Sequence, residues 1–318
     1  MVALSLPLLA KQERRTSGPI LHAAPFGNDD EVLSLNLARG CLHRCAFCSA
    51  RAHRSYPGDD YLFLYADAPA LLEQDLARRK RLPRAVYLCP ATDPLPPLFS
   101  MQVLTARVVE VLAAHNIEAW LMTRGFIRPT PLSLLERQRD KIRLTIGMTT
   151  LERGLQRVLE PLAAPPRLRL RQIAELKRRG WHVQVALEPL IPHVTDTRAN
   201  LLELLQALAH LGIRQVTAGY MFLRPGIEEN VRAALEPLKL ERRVLGEYAS
   251  GPMLKSESVA AARYLPRRYR QRGYASLVAL GSELGVNVKV SGVTNPDFLP
   301  VRVPPTPPPV RQPLLPMF

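Results

Sequence analysis

No apolar run in this chain approaches the roughly 20 residues a helix needs to cross a bilayer, because a charge, a proline or a glycine interrupts every candidate. Cysteine is scarce, with four in 318 residues, so the disulfide framework of a small secreted domain is excluded. The chain opens Met-Val-Ala-Leu-Ser with no basic stretch ahead of its short apolar run, and a secretory signal is not expected. No internal repeat is evident. These absences predict a cytoplasmic protein of a reducing compartment with no membrane partner.

What is present fits a soluble enzyme of one large domain, or one domain with an extension, since 47% hydrophobic content over this length can bury a substantial core. Acidic residues are in deficit, 28 against 43 basic ones, for a net charge of +15. Only seven of the 43 are lysine, which leaves 36 arginines. Arginine forks match phosphate oxygens, so a polyanion such as DNA or another nucleic acid is a natural partner. Arginine richness can equally reflect base usage in the genome.

Three of the four cysteines stand together in Gly40-Cys41-Leu-His-Arg-Cys45-Ala-Phe-Cys48. A [4Fe–4S] cluster normally takes four thiolates, so a compact trio can hold three irons and leave the fourth open to an exogenous ligand. The alternative is zinc in a Cys3His site completed by His53, in a nucleic-acid-binding protein without enzymatic activity. His43 and Arg44 inside the loop read as filler or outer donors.

From about residue 33, short apolar runs alternate with segments of helical period, the pattern of βα units around a parallel sheet. Six strands are expected near Val32–Leu37, Ala85–Cys89, Ile117–Thr123, Ile142–Met148, His182–Glu188 and Arg214–Gly219. Helix-end signals fall between them: Asp67, Ser100 and Thr130 at starts, Gly180 and Gly212 at stops. In such a fold the active site lies at the carboxyl ends of the strands, and the cysteine trio follows the first strand directly.

The expected organisation is an extended N-terminal segment (1–31), a unit of six βα repeats around a parallel sheet (32–227), a basic C-terminal extension (228–299) and a Pro-rich disordered tail (300–318). Within the extension a helix is expected around Pro266–Leu284 and a strand at Val286–Val290. Its stretch Arg263-Tyr264-Leu-Pro-Arg267-Arg268-Tyr269-Arg270 interleaves basic and aromatic side chains. Arg267, Arg268, Tyr269 and Arg270 are candidate nucleic-acid contacts, phosphate by arginine and base by tyrosine. A solvated helix start with tyrosines facing the core fits the same residues.

The segment Asn36-Leu-Ala-Arg-Gly40-Cys41-Leu-His-Arg-Cys45-Ala-Phe-Cys48-Ser-Ala-Arg51 resembles the cluster loop of radical S-adenosylmethionine enzymes, and more narrowly their spore photoproduct lyase-like branch. Leu88-Cys-Pro-Ala-Thr-Asp-Pro94, Leu121-Met-Thr-Arg124, Arg143–Thr150, Leu159-Glu-Pro161 and Leu190–Asp196 follow in the order of that branch. The match spans roughly residues 33–225.

The resemblance implies a partial (β/α)6 barrel of the radical SAM type that binds a [4Fe–4S] cluster through Cys41, Cys45 and Cys48. It implies S-adenosylmethionine as cofactor, cleaved to a 5′-deoxyadenosyl radical, and flavodoxin or ferredoxin as electron donor. Phe47, Thr92, Asp93, Arg124 and Thr145 would hold the cofactor by their positions. Each also has an ordinary role open to it, in core packing for Phe47, a turn for Thr92 and Asp93, a solvated loop for Arg124 and strand propensity for Thr145. Cys89 matches the cysteine that returns a hydrogen atom to repaired thymine in the lyase, or is an inert strand thiol. Phe47 and Ser49 replace the tyrosines that flank the lyase's third cluster cysteine, which puts that repair relay in doubt and leaves a peptide or small molecule open as substrate. His193, Glu188 and Asp196 fall near the same rim without an assigned role.

Overall fold

The computed structural model describes residues 9–13, 19–24, 31–255, 261–292 and 294–298. The proline-rich tail expected over 300–318 lies outside the described residues, as does much of segment 1–31. Two short strands, β1 (Leu9–Glu13) and β2 (His22–Ala23), precede β3 (Val32–Leu35), and β4 (Ala38–Arg39) and β5 (Tyr61–Tyr65) flank the cysteine segment. Then β6 (Ala85–Leu88), β7 (Glu118–Thr123), β8 (Ile142–Gly147), β9 (Val183–Leu190) and β10 (Gln215–Tyr220) alternate with helices. These are α1 (Ala68–Arg78), α2 (Phe99–Ala114), α3 (Pro129–Glu136), the pair α4 (Arg153–Leu159) and α5 (Pro166–Arg178), and α6 (Arg198–His210). The chain continues through α7 (Glu228–Leu235), α8 (Glu241–Gly246), the hairpin β11 (Met253–Leu254) and β12 (Ala262–Arg263), α9 (Arg267–Glu283) and β13 (Asn287–Val290).

The main sheet runs β13-β10-β9-β8-β7-β6-β3-β2, parallel throughout except for β2 against β3. The six expected strands thus lie side by side in chain order, as repeated βα crossovers require. The fold is α/β with a mostly parallel sheet. A second, smaller sheet places β5 between β1 and β4.

Register explains the two faces. Leu35, Leu88, Leu121 and Leu144 are consecutive partners across four strands and essentially inaccessible, forming an apolar row under the helices. The period of two sends Tyr87, Met122, Thr145 and Gln184 to the other face, where each is only half-buried. That asymmetry leaves space on one side of the sheet.

Both expected glycine stops hold. Gly180 (φ +78°) ends α5, with Trp181 N–H donating to Leu176 O at 3.0 Å, and Gly212 (φ +70°) ends α6, with Ile213 N–H donating to Leu208 O at 2.9 Å. Each is a Schellman stop with an apolar residue folded back on the helix. Two starts differ from expectation. α3 begins at Pro129, whose fixed φ suits the first helical position, and α2 begins at Phe99, as soon as the chain clears Pro96-Pro97. No helix among the described residues is long and apolar enough to cross a membrane.

Candidate active site

The cysteine loop is fixed from both ends. Gly40 adopts φ +91°, and a Cβ there would fall 2.3 Å from the Tyr61 carbonyl of β5, so no other residue fits this entry to the loop. The Thr92 hydroxyl donates to the Gly40 carbonyl at 2.5 Å, tying the segment after β6 to the loop. On the far side, Ala46 N–H donates to Leu159 O at 2.9 Å, and Leu162 N–H donates to His43 O at 3.3 Å. The Leu159-Glu-Pro161 stretch therefore clamps the loop that carries the thiols.

Cys41, Cys45 and Cys48 line one cavity of about 220 Å³, together with Phe47, Cys89 and Arg124. Its remaining wall comes from the carboxyl ends of β6, β7, β9 and β10, including Tyr87, Met122, Glu188 and Tyr220. Burial, aided by the Cys48 and Asp93 charges, pushes the Cys41 thiol up to about 12. Burial likewise lifts Cys45 well above the ordinary thiol value, with Glu160 adding to it. Metal binding at these thiols must therefore release protons. Among the described residues no group of three or more His, Cys, Asp or Glu side chains is arranged to hold a single metal ion. His53, the fourth ligand of the zinc reading, turns to Ser55 at 2.7 Å and lines a separate cavity.

Behind the cavity lies a buried charge network. Arg124 Nε donates to Glu160 at 2.9 Å, a guanidinium nitrogen also donates to the Glu188 carbonyl, and Arg169 donates to the other Glu160 oxygen at 2.5 Å. Burial alone would raise the Glu160 carboxyl, but the Arg169 and Arg124 charges hold it below its usual value. The Arg124 guanidinium lies 5.3 Å from the centre of the Phe47 ring, within cation–π range.

Asp93 is buried and fully engaged. It accepts from Thr123 Oγ1 (2.7 Å), Arg124 N–H (2.8 Å) and Leu95 N–H (2.8 Å), and faces His43 Nε2 at 3.0 Å. Burial opposes its ionisation, yet the His43 contact and these hydrogen bonds keep it below the ordinary carboxylate value. Glu188 shows the reverse, because burial raises it and the Arg124 charge only partly offsets that. Cys89, with φ +64°, is buried on the cavity wall, and burial pushes its thiol upward.

The structure thus brings Phe47, Cys89, Thr92, Asp93 and Arg124 together around the trio. It does not bring Thr145, whose hydroxyl faces Gln184 at 3.5 Å outside the cavity lining. His193 pairs with Glu247 at 2.7 Å, also outside that lining. Asp196 accepts from the Tyr220 and Tyr269 hydroxyls, both at 3.1 Å.

The arginine–tyrosine segment needs a correction. Arg270 is wholly inaccessible and makes a bidentate pair with Asp297 (2.8 and 2.6 Å) beneath Phe298, so it cannot meet a phosphate. Tyr269 is half-buried over Asp196, which leaves only Arg267 and Arg268 of the four exposed. Helical period explains the outcome, since Arg270 and Tyr274 share the inward stripe of α9. Sequence reasoning assigned no role to Glu160, Tyr87 or Tyr220. Tyr220 could have been suspected from its place at the end of the sixth strand, whereas Glu160 carries no local signal because its partners lie 36 and 9 residues away.

No known protein-family pattern matches the chain. Among curated proteins, an uncharacterized protein of Mycobacterium tuberculosis is 27% identical over 200 residues, which cover 60% of this chain and 59% of that protein. The chain therefore matches less than two thirds of that relative's length. A radical SAM Nα-GlyT isomerase of Pseudomonas phage M6 is 22% identical over 254 residues, covering 77% of this chain and 50% of the isomerase. Among solved structures, spore photoproduct lyase superposes with a TM-score of 0.65 at 15% identity, over 88% of this chain and 82% of the lyase. Its complex with dinucleoside spore photoproduct gives 0.62. The chain shares the fold of spore photoproduct lyase.

Proposed function

We propose that this chain is a radical S-adenosylmethionine enzyme acting on DNA, with Cys41, Cys45 and Cys48 as the ligands of a [4Fe–4S] cluster. The observation that carries the reading is the convergence of all three thiols on one cavity at the carboxyl ends of the parallel strands, in a fold shared with spore photoproduct lyase. The donor set fits, because three thiols lining one cavity can each take one iron of a cluster and leave its fourth iron open to an exogenous ligand. When bound, the cluster and S-adenosylmethionine supply a 5′-deoxyadenosyl radical for hydrogen abstraction.

The chain's own residues hold and shield that chemistry. Arg124, charged and braced by Glu160, offers a guanidinium for the cofactor carboxylate beside the Phe47 ring. Thr92 and Asp93 fix the loop and the β7 end in register with the trio. Cys89 keeps its thiol protonated through burial, which is the form that can donate a hydrogen atom. DNA as the substrate class is supported by the +15 charge and by the dinucleoside in the lyase complex. A small reductase such as flavodoxin or ferredoxin delivers the electron, and oxidisable thiols suit the cytoplasm.

The test is anaerobic reconstitution with iron and sulfide. The protein should turn brown with broad absorption near roughly 400 nm, and reduction with S-adenosylmethionine should release 5′-deoxyadenosine. Iron-free protein that retains zinc would overturn the proposal. Cofactor cleavage in the presence of ultraviolet-irradiated DNA, without loss of photoproduct, would keep the enzyme class and remove the lyase reaction.

A further inference from the structure

β5 reads Tyr61-Leu-Phe63-Leu-Tyr65, and its alternation is complete. Leu62 and Leu64 are buried in the core, while the period of two sends all three aromatic rings to the opposite face. Tyr61 is exposed, and Phe63 and Tyr65 are half-buried. The Tyr61 and Phe63 rings stack at 6.2 Å with planes 16° apart, and the Arg39 guanidinium of β4 lies 4.4 Å over the centre of Phe63. A guanidinium and two rings therefore form one continuous row on one face of β4 and β5, with Tyr61 exposed at its end.

This row leads to the cluster. Gly40, the residue between Arg39 and Cys41, packs directly against the Tyr61 carbonyl. Arg39, Gly40 and Tyr65 line a cavity of about 200 Å³, and Ala91 belongs to both that cavity and the cluster cavity.

We infer that the Arg39–Phe63–Tyr61 row is a stacking platform that seats an unpaired DNA strand and feeds it toward the cluster cavity. Planar rings beside a cation, with Tyr61 exposed, suit bases that show their π-faces, which unpaired DNA does and duplex DNA does not. The net positive charge of the chain complements the phosphates. The inference rests on the DNA reading of the proposed function, but not on its radical chemistry.

The test is fluorescence anisotropy with the full chain and a labelled oligothymidylate, against a duplex of equal length. The single strand should bind more tightly. Tyr61→Ala and Phe63→Ala should each weaken it by about five- to 100-fold, whereas Tyr61→Trp and Phe63→Trp should retain it, which separates stacking from folding. Alanine variants that bind like the parent, or a parent that prefers the duplex, would overturn the platform and leave DNA binding intact, while a parent that binds neither DNA would overturn both. 5′-Deoxyadenosine release, measured separately, reports on the radical reading alone.

Discussion

Glu160 holds two arginines at once, Arg124 through one carboxylate oxygen at 2.9 Å and Arg169 through the other at 2.5 Å, with no solvent access to the carboxylate. Because Arg124 also borders the cavity, the pair joins core stability to the shape of the cavity wall. Neutralising Glu160 leaves two buried guanidinium groups without their counter-charge.

Glu160→Gln should therefore cost about 3–5 kcal/mol of stability, the range for breaking a buried ion pair. Urea denaturation of the metal-free protein measures it. Glu175→Gln, on an exposed i,i+3/i,i+4 pair with Arg178 and Arg179, should shift the midpoint negligibly.

Acid should act through Asp93 and Glu160. Both carboxyls titrate lower in the fold than their ordinary values of 3.8 and 4.5, so their contribution is complete above those values and is lost as pH falls through the depressed ones. Glu188 runs the other way. Its folded value is raised, so its ionised form costs stability near neutrality, and that cost disappears on protonation. Glu188→Gln should raise the urea midpoint at pH 7 and leave it unchanged near pH 3. An increase of the same size at both pH values would count against the assignment.

Gly40→Ala should yield a folded protein with little bound iron after reconstitution. The strain sits at the entry to the cysteine loop, where φ is +91° and the Tyr61 carbonyl oxygen lies 2.3 Å from where a Cβ would stand. Iron per chain and far-UV circular dichroism, read together, check it. Gly180→Ala, which also has a left-handed φ but meets no neighbouring atom, should keep its iron.

Cys41→Ala and Cys89→Ala should separate the two kinds of thiol. The first should abolish the brown colour and 5′-deoxyadenosine release. The second should keep both and alter only the substrate-derived product, because Cys89 shares the cavity without belonging to the loop trio. Loss of iron in Cys89→Ala would make that thiol a ligand instead of a donor.

Much of this was legible in the sequence for identifiable reasons. The six strands and the Gly180 and Gly212 stops follow from local periodicity and from a conformation few side chains tolerate. The trio was legible because its ligands are close in sequence. Glu160 was not, since its partners Arg124 and Arg169 are 36 and 9 residues away, and nothing local distinguishes a buried carboxylate from a solvated one. Arg270 misled for the same reason. A run of arginines and tyrosines looks like an open surface until Asp297 and Asn295 come back over it.

That return path runs through β13, which pairs along β10 from Gln215↔Asn287 to Ala218↔Val290 before the chain reaches Asn295 and Asp297. A shortened chain stopping at residue 227 would retain every thiol yet bare the amide and carbonyl groups of β10 to other copies of itself. Such a fragment should aggregate through strand-to-strand growth, so the minimal unit that can be handled in isolation must reach at least Asp297.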